Sequence, residues 1–189
     1  PQLMQVGEWM HNKSSVSQQL KTLVQICSYL DKELRASSYA EPEIYWTFEN
    51  NSYGQAVIEL LNEIGLDVIP ATLVNEPGLP PSRSRRGLNT NGRTKNQAVT
   101  KLKSLLETNK MLIRSRPLIS QLKSYVNTGG SFAAKSGEYD DLVSALLLVI
   151  RMSQHVARWD DLTAAQIKDD DLMVIEDLME PMPISVSRW

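Results

Sequence analysis

The sequence predicts an α/β fold, in which strands and helices alternate along the chain and pack in layers. The clearest strand covers residues 44–49, where apolar and polar side chains alternate with a period of two in β-favouring residue types. The clearest amphipathic helix precedes it, because apolar residues between Val16 and Leu34 recur at steps of three and four. A third observation is the almost continuous apolar run over residues 140–156, which predicts a central, buried helix.

The other elements continue this alternation. Residues 3–10 are short and apolar-rich and predict a first strand, and residues 50–52 can cap a helix that Gly65 closes. Residues 70–92, rich in Pro, Gly, Ser, Asn and Arg, predict a long exposed loop, and loops of that length are usually functional or disordered. The remaining predicted elements are a strand at 66–69, a helix with its apolar face over 98–106, a strand at 111–113, a helix over 117–123 and a hairpin over 125–134.

The composition is typical of a soluble globular protein. The chain has 189 residues, of which 42% are apolar and 22% charged, and no apolar run is long enough to span a bilayer. No signal peptide is visible, and Cys27 is the only cysteine, which favours a reducing cytoplasm. We expect a folded domain over residues 1–158 and an acidic tail over residues 159–189.

Any contact with nucleic acid must come from local basic clusters, because the net charge of −2 gives no overall attraction to phosphate. Six residues are candidates for contacts with a DNA backbone: Arg83, Arg85, Arg86, Arg93, Lys95 and Lys135. Phosphate contacts carry no sequence information, so they suit a protein that binds DNA with little sequence preference. The alternative for the arginines at 83–86 is an ordinary solvated loop.

Three carboxylates stand at the ends of predicted elements. Glu49 ends a strand, and Asp140 and Asp141 begin the apolar helix. Ligands bind at strand ends in open α/β sheets, and carboxylate oxygens are preferred ligands of Mg²⁺ and Mn²⁺. Two such ions roughly 3.5–4 Å apart can activate water and stabilise the leaving oxygen of a phosphodiester. The alternative is that the aspartates merely cap the helix and that Glu49 is a solvated surface residue.

Four sequence blocks resemble those of large terminase subunits, the DNA-packaging motors of tailed phages. Residues 44–54, an apolar strand ending in Glu and followed by Asn and Gly, look like the second acidic motif of the terminase nuclease domain. Residues 137–146, with Tyr-Asp-Asp-Leu-Val before an apolar helix, are similar to the third acidic motif. Residues 92–95 and 111–122 resemble the blocks between these motifs. The likeness runs from about Leu3 to Arg151 and is to terminases of T4-like phages.

This resemblance implies a ribonuclease-H-like, three-layer fold with a central mixed sheet. It also implies a metal-dependent endonuclease that cuts concatemeric double-stranded DNA during genome packaging, in the cytoplasm of the bacterial host. Glu49 and Asp140 would bind Mg²⁺ or Mn²⁺, two ions in all, with Asp141 a further ligand or a helper. Gly54 would let the helix start pack closely against the metal edge. The implied partners are DNA, the portal protein, the small terminase subunit and the motor's ATPase domain.

Two departures from the family pattern leave alternatives open. The first acidic motif, an aspartate on the opening strand, is not found; residues 5–9 stand there instead, Glu8 is a weak substitute, and Asp31 falls within the first helix. No Gly-x-x-x-x-Gly-Lys-Ser/Thr loop is present, so the ATPase half is not in this chain. We therefore expect a nuclease domain lacking its first strands. The alternatives are a non-catalytic DNA-binding or portal-docking module, and another ribonuclease-H-like nuclease such as a resolvase.

Overall fold

Three of the described helices begin at a residue whose side chain caps them. The computed structural model describes residues 2–37, 42–76 and 86–156. The Asn51 side chain accepts hydrogen bonds from the N–H groups of Tyr53 and Gly54, and Gly65 ends the same helix by donating to Leu61. The cap over residues 50–52 and the closure at Gly65 were both predicted from the sequence, and both are confirmed.

The described residues form a mixed α/β structure with five helices and six short strands. The elements are β1 (Leu3–Met4), α1 (Val16–Ser37), β2 (Tyr45–Trp46), α2 (Ser52–Ile64), β3 (Thr72–Leu73), α3 (Gly92–Glu107), β4 (Met111–Leu112), α4 (Arg116–Ser124), β5 (Tyr125–Thr128), β6 (Ser131–Ala134) and α5 (Asp141–His155). The presence of both helices and strands confirms the predicted α/β class.

The strands pair two by two. β1 lies parallel to β4 and β2 parallel to β3, while β5 and β6 form an antiparallel hairpin that turns at Gly129 and Gly130. Within the described ranges these are three separate two-stranded sheets, so a single central mixed sheet is not observed there. The pairing of β5 with β6 confirms the hairpin predicted over residues 125–134.

One predicted strand is wrong. Residues 66–69 form a turn, in which the Ile69 N–H donates to the Leu66 carbonyl at 3.2 Å, and the side chain of Ile69 is 3% exposed. The actual strand is β3, which lies inside the stretch predicted as a loop over residues 70–92. An apolar segment can be buried in a turn as well as in a strand, so hydrophobicity alone placed the strand a few residues too early.

The core consists of two apolar clusters. The larger one joins α3, α4 and α5, and its members are Ala98, Leu102, Leu105, Leu118, Leu142, Val143, Leu147 and Ile150. The smaller one joins α1 and α2 with the β2–β3 pair, and its buried members are Leu20, Cys27, Trp46, Leu61 and Ile69. Helix α5 belongs to the larger cluster, and its packing there positions the residues that are described below.

Helix α5 is less buried than its apolar sequence predicted. Val143 and Ile150 are fully buried, but Val149 on another face is 45% exposed. That face borders an apolar groove of about 350 Å³, which we call the β1 groove and which residues 3–9 line on the opposite side. The all-round apolar pattern therefore reflects one face in the core and another in an open groove.

Two findings concern the ends and the hydropathy of the chain. The described residues between Gln2 and His155 belong to one compact unit. The acidic tail predicted over residues 159–189 lies outside the described residues. None of the helices in the described ranges combines the length and the hydropathy needed to cross a membrane.

We predict that Ile150→Ala and Val149→Ala differ sharply in their effect on stability. Ile150 is fully buried and Val149 is half exposed. Ile150→Ala should lower the free energy of unfolding by about 2–5 kcal/mol because it leaves a cavity, whereas Val149→Ala should change it by less than about 0.5 kcal/mol. Urea denaturation followed by circular dichroism measures both. Equal losses would show that α5 does not bury the face described here.

Candidate active site

Glu49 ends the extended segment that follows β2. The Leu88 N–H donates to the Phe48 carbonyl and the Asn50 N–H donates to the Leu88 carbonyl, both at 2.9 Å, so that Glu49 forms a parallel bridge with Leu88. The Glu49 carboxylate accepts one hydrogen bond at 2.9 Å, from the Asn51 side chain. Glu49 is thus held by backbone pairing with Leu88 and by a hydrogen bond from Asn51, which caps α2.

Two glycines allow the backbone to approach this point closely. A Cβ atom on Gly54 would overlap the carbonyl oxygen of Glu49. A Cβ atom on Gly87 would lie 2.5 Å from the carbonyl oxygen of Phe48, and Gly87 also has a positive φ of 78°. The sequence predicted the close approach at Gly54, and the structure confirms it. Gly87 plays the same role on the opposite side and was not singled out from the sequence.

Asp140 and Asp141 lie at the start of α5, but neither side chain caps the helix. The Asp140 carbonyl accepts the first helical hydrogen bond, from the Ser144 N–H at 2.8 Å. The Leu142 N–H, which a capping carboxylate would satisfy, instead donates to the side-chain oxygen of Gln121 on α4 at 2.8 Å. Within the described part of the chain neither carboxylate accepts a hydrogen bond. The capping explanation therefore does not account for these two aspartates.

Lys95 lies in the first turns of α3, where a capping box fixes the helix start. The Asn91 side chain accepts from the Thr94 N–H, and the Thr94 hydroxyl accepts from the Asn91 N–H, both at 2.9 Å. From this turn the Lys95 Nζ reaches a point 5.5 Å from the centre of the Tyr125 ring. Lys95 is half-buried.

Glu49, Lys95 and Ser144 line one small cavity of about 60 Å³, which we call the Glu49 cavity. Arg151 also lines it, with a 5% exposed side chain whose guanidinium lies 3.0 Å from the Glu76 carboxylate. Glu76 pairs with Arg151, and Glu49 and Lys95 are the other charged residues that line the cavity. The cavity has room for a few water molecules.

The Tyr125 ring lies next to Lys95, which lines this cavity. The ring stacks on Phe132 with the centroids 6.1 Å apart, and Lys95 lies over it. Burial and, to a lesser degree, the negative charge of Asp140 raise the pKa of Tyr125 to about 12, so the hydroxyl keeps its proton at neutral pH. The hydroxyl is buried without a hydrogen-bond partner, as is the Asn50 side-chain nitrogen. Nothing in the sequence pattern marked Tyr125, while Asn50 directly follows Glu49 in the acidic motif.

The other predicted site residues lie at the edge or elsewhere. Asp141, Arg93 and Lys135 are exposed at the surface. Arg86 donates a 2.8 Å hydrogen bond to the Asn62 side chain on α2. Arg83 and Arg85 lie outside the described residues. The roles of these residues in binding DNA remain predictions.

The donor chemistry suits a hard divalent cation. In the described ranges no three His, Cys, Asp or Glu residues come close enough to form a metal site by themselves. Mg²⁺, however, is commonly held by one or two carboxylates together with water and substrate phosphates. Glu49 and Asp140 each offer a carboxylate that accepts at most one hydrogen bond from the described residues. Comparison with models of known protein families finds no match for this chain.

We predict that Gly54→Ala destabilises the protein and that Gly92→Ala, at the start of the neighbouring helix α3, does not. The alanine Cβ at position 54 would meet the Glu49 carbonyl, while nothing lies within 4 Å of the corresponding point at Gly92. The expected loss for Gly54→Ala is about 1–3 kcal/mol in the free energy of unfolding. For Gly92→Ala the expected change is zero or a gain of less than about 1 kcal/mol. Equal stabilities of the two variants in urea would contradict the close approach.

Proposed function

We propose that this chain is a metal-dependent endodeoxyribonuclease domain of a viral DNA-packaging terminase, which cuts concatemeric double-stranded DNA. One observation carries the proposal. Glu49 shares a cavity with Ser144, and the Ser144 N–H bonds to the carbonyl of Asp140. Residues from two motifs far apart in the sequence, each resembling an acidic motif of terminase nucleases, thus lie close to the same turn of α5.

The chemistry of the site supports cleavage of a phosphodiester. Glu49 and Asp140 would hold Mg²⁺ or Mn²⁺, and the bound ions would activate water and stabilise the leaving oxygen. The start of α5 leaves N–H groups and a positive dipole end near Asp140, which favour both a carboxylate and a phosphate. Lys95 lines the same cavity as Glu49 and would provide a positive charge for a DNA phosphate. Asp141 is exposed, so a supporting role fits it better than that of a principal metal ligand.

The remaining parts of the proposal rest on the sequence resemblance. The fold would be ribonuclease-H-like, and the work would be done in the cytoplasm of an infected bacterium. The partners would be double-stranded DNA, the portal protein, the small terminase subunit and the ATPase domain of the same motor. Arg86, Arg93 and Lys135, with Arg83 and Arg85, would contact the DNA backbone outside the metal site without reading its sequence.

We predict metal-dependent nicking of supercoiled plasmid that requires both acidic residues. Glu49→Gln and Asp140→Asn should each lower the rate with Mn²⁺ at least about a hundredfold, the size of effect seen when one stabilising group is removed from an active site. Glu138→Gln is the matched control, because it also removes one charge next to the site from an exposed side chain. Its rate should stay within about twofold of the unmodified protein, since surface changes of this kind have small effects.

The assay should use this chain and also a form extended by the residues encoded upstream of Pro1, where the resemblance places the first acidic motif. Chelation of the metal by EDTA should stop cleavage. If neither form nicks plasmid with Mg²⁺ or Mn²⁺, the nuclease proposal is wrong, and retained DNA binding would then favour the non-catalytic module. Unchanged cleavage by Asp140→Asn would remove Asp140 from the mechanism.

A further inference from the structure

Arg151 carries a buried charge to which the proposed cleavage assigns no part. Its side chain is 5% exposed near the end of α5 and lines the Glu49 cavity. One terminal nitrogen of its guanidinium donates to both oxygens of the Glu76 carboxylate, at 3.0 and 3.4 Å, and the other donates to the Thr90 hydroxyl at 3.4 Å. Removing such a pair from water costs about as much as its attraction returns, and apolar replacements are often equally stable. Stability alone therefore does not explain why these two residues are charged.

The partner of Arg151 also binds residues 86–90, which we call the Leu88 segment. The Glu76 carboxylate accepts a hydrogen bond from the Asn89 N–H at 3.0 Å, and the Glu76 N–H donates to the Gly87 carbonyl at 3.1 Å. Hydrogen bonds to a charged group are roughly twice as strong as those between neutral groups. Because Glu76 bonds to the Leu88 segment and to Arg151, it joins this segment to α5.

The Leu88 segment in turn sets the position of Glu49. Leu88 is fully buried, its N–H donates to the Phe48 carbonyl, and its carbonyl accepts from the Asn50 N–H, both at 2.9 Å. These two hydrogen bonds lie on either side of Glu49 and form its parallel bridge with Leu88. A continuous series of hydrogen bonds therefore leads from the Arg151 guanidinium on α5 to the backbone that carries Glu49.

We propose that Arg151 and Glu76 are positioning residues, whose ion pair holds the backbone of Glu49 at a fixed place relative to α5. This inference rests on the proposed function, because it assigns to Glu49 a part in cleaving DNA. A displacement of about 1 Å, caused by a mutation far from the reacting atoms, can lower a rate about a hundredfold. The role explains why a buried arginine, rather than an apolar residue, lines the Glu49 cavity.

The test compares the unmodified protein with three variants. Arg151→Met removes the guanidinium and leaves the Glu76 carboxylate, which is partly exposed and can be hydrated. The double variant, Arg151→Met with Glu76→Met, removes both charges and so leaves neither one buried and unpaired. Arg35→Met is the matched control, because it breaks an ion pair of 2.9 Å with Asp31 on the exposed side of α1.

The first measurement is amide hydrogen exchange by NMR at Leu88 and Asn50, whose N–H groups make the two bonds beside Glu49. Exchange at Leu102, which is buried within α3, is the reference in the same molecule. In Arg151→Met and in the double variant, Leu88 and Asn50 should exchange at least about tenfold faster relative to Leu102, because the segment opens locally once its bonds to charged groups are lost. Arg35→Met should leave this ratio unchanged. A pair that only adds to overall stability would change all three amides alike.

The second measurement is plasmid nicking with Mn²⁺ by the same proteins, at a temperature where each is folded. In Arg151→Met and in the double variant, kcat should fall about 10- to 100-fold while KM for DNA stays within about twofold, because the groups proposed to bind DNA are unaltered. Arg35→Met should cut DNA as the unmodified protein does.

The outcomes separate this inference from the proposed function. If the unmodified protein nicks DNA but the exchange ratio or kcat of Arg151→Met is unchanged, the inference is wrong and the proposed function stands. If the unmodified protein nicks no DNA, the proposed function fails and the inference falls with it.

Discussion

The burial of one face of α5 against α3 and α4 is the constraint on which the site depends. Val143 and Ile150 are fully buried in the cluster that these three helices share. With that face fixed, Ser144 lines the Glu49 cavity and Asp140 lies one turn earlier. Helix α3 packs in the same cluster, and its Lys95 lines this cavity and lies over the Tyr125 ring. A purely apolar contact thus sets the geometry of the polar groups.

Neighbouring residues at this site have different structural roles. Because the Gln121 side chain caps α5, the Asp140 carboxylate is not needed as the cap of that helix. Glu76 pairs with the buried Arg151, and Lys95 and Glu49 line the same cavity. Gly54 and Gly87 have no Cβ atom, which allows their backbone to lie close to the carbonyl oxygens of Glu49 and Phe48. Among the described residues, the Tyr125 hydroxyl and the Asn50 side-chain nitrogen are buried without a hydrogen-bond partner.

Local features of the fold could be predicted from the sequence, and features set by distant partners could not. The cap at Asn51, the closure at Gly65 and the hairpin at Gly129–Gly130 each depend on a few adjacent residues, and all three predictions are confirmed. The turn at residues 66–69 was predicted as a strand because buried turns and strands have the same apolar composition. The cap supplied by Gln121 and the approach of Lys95 to Tyr125 join residues far apart in the chain, and no periodicity reveals such pairs. For the same reason Glu49 and Asp140 could be marked as acidic residues at element ends, while only their resemblance to known motifs linked them.

The central claim is that Glu49 and Asp140 act on the same metal ion site although they lie in different parts of the sequence. The most direct measurement is an anomalous difference map from crystals of this protein soaked in MnCl₂, because Mn²⁺ scatters anomalously and marks its own position. The account predicts a peak in contact with carboxylate oxygens of both Glu49 and Asp140, and loss of that peak in crystals of Asp140→Asn. A peak bound to other residues only, or a peak at Glu49 that survives Asp140→Asn unchanged, would contradict it.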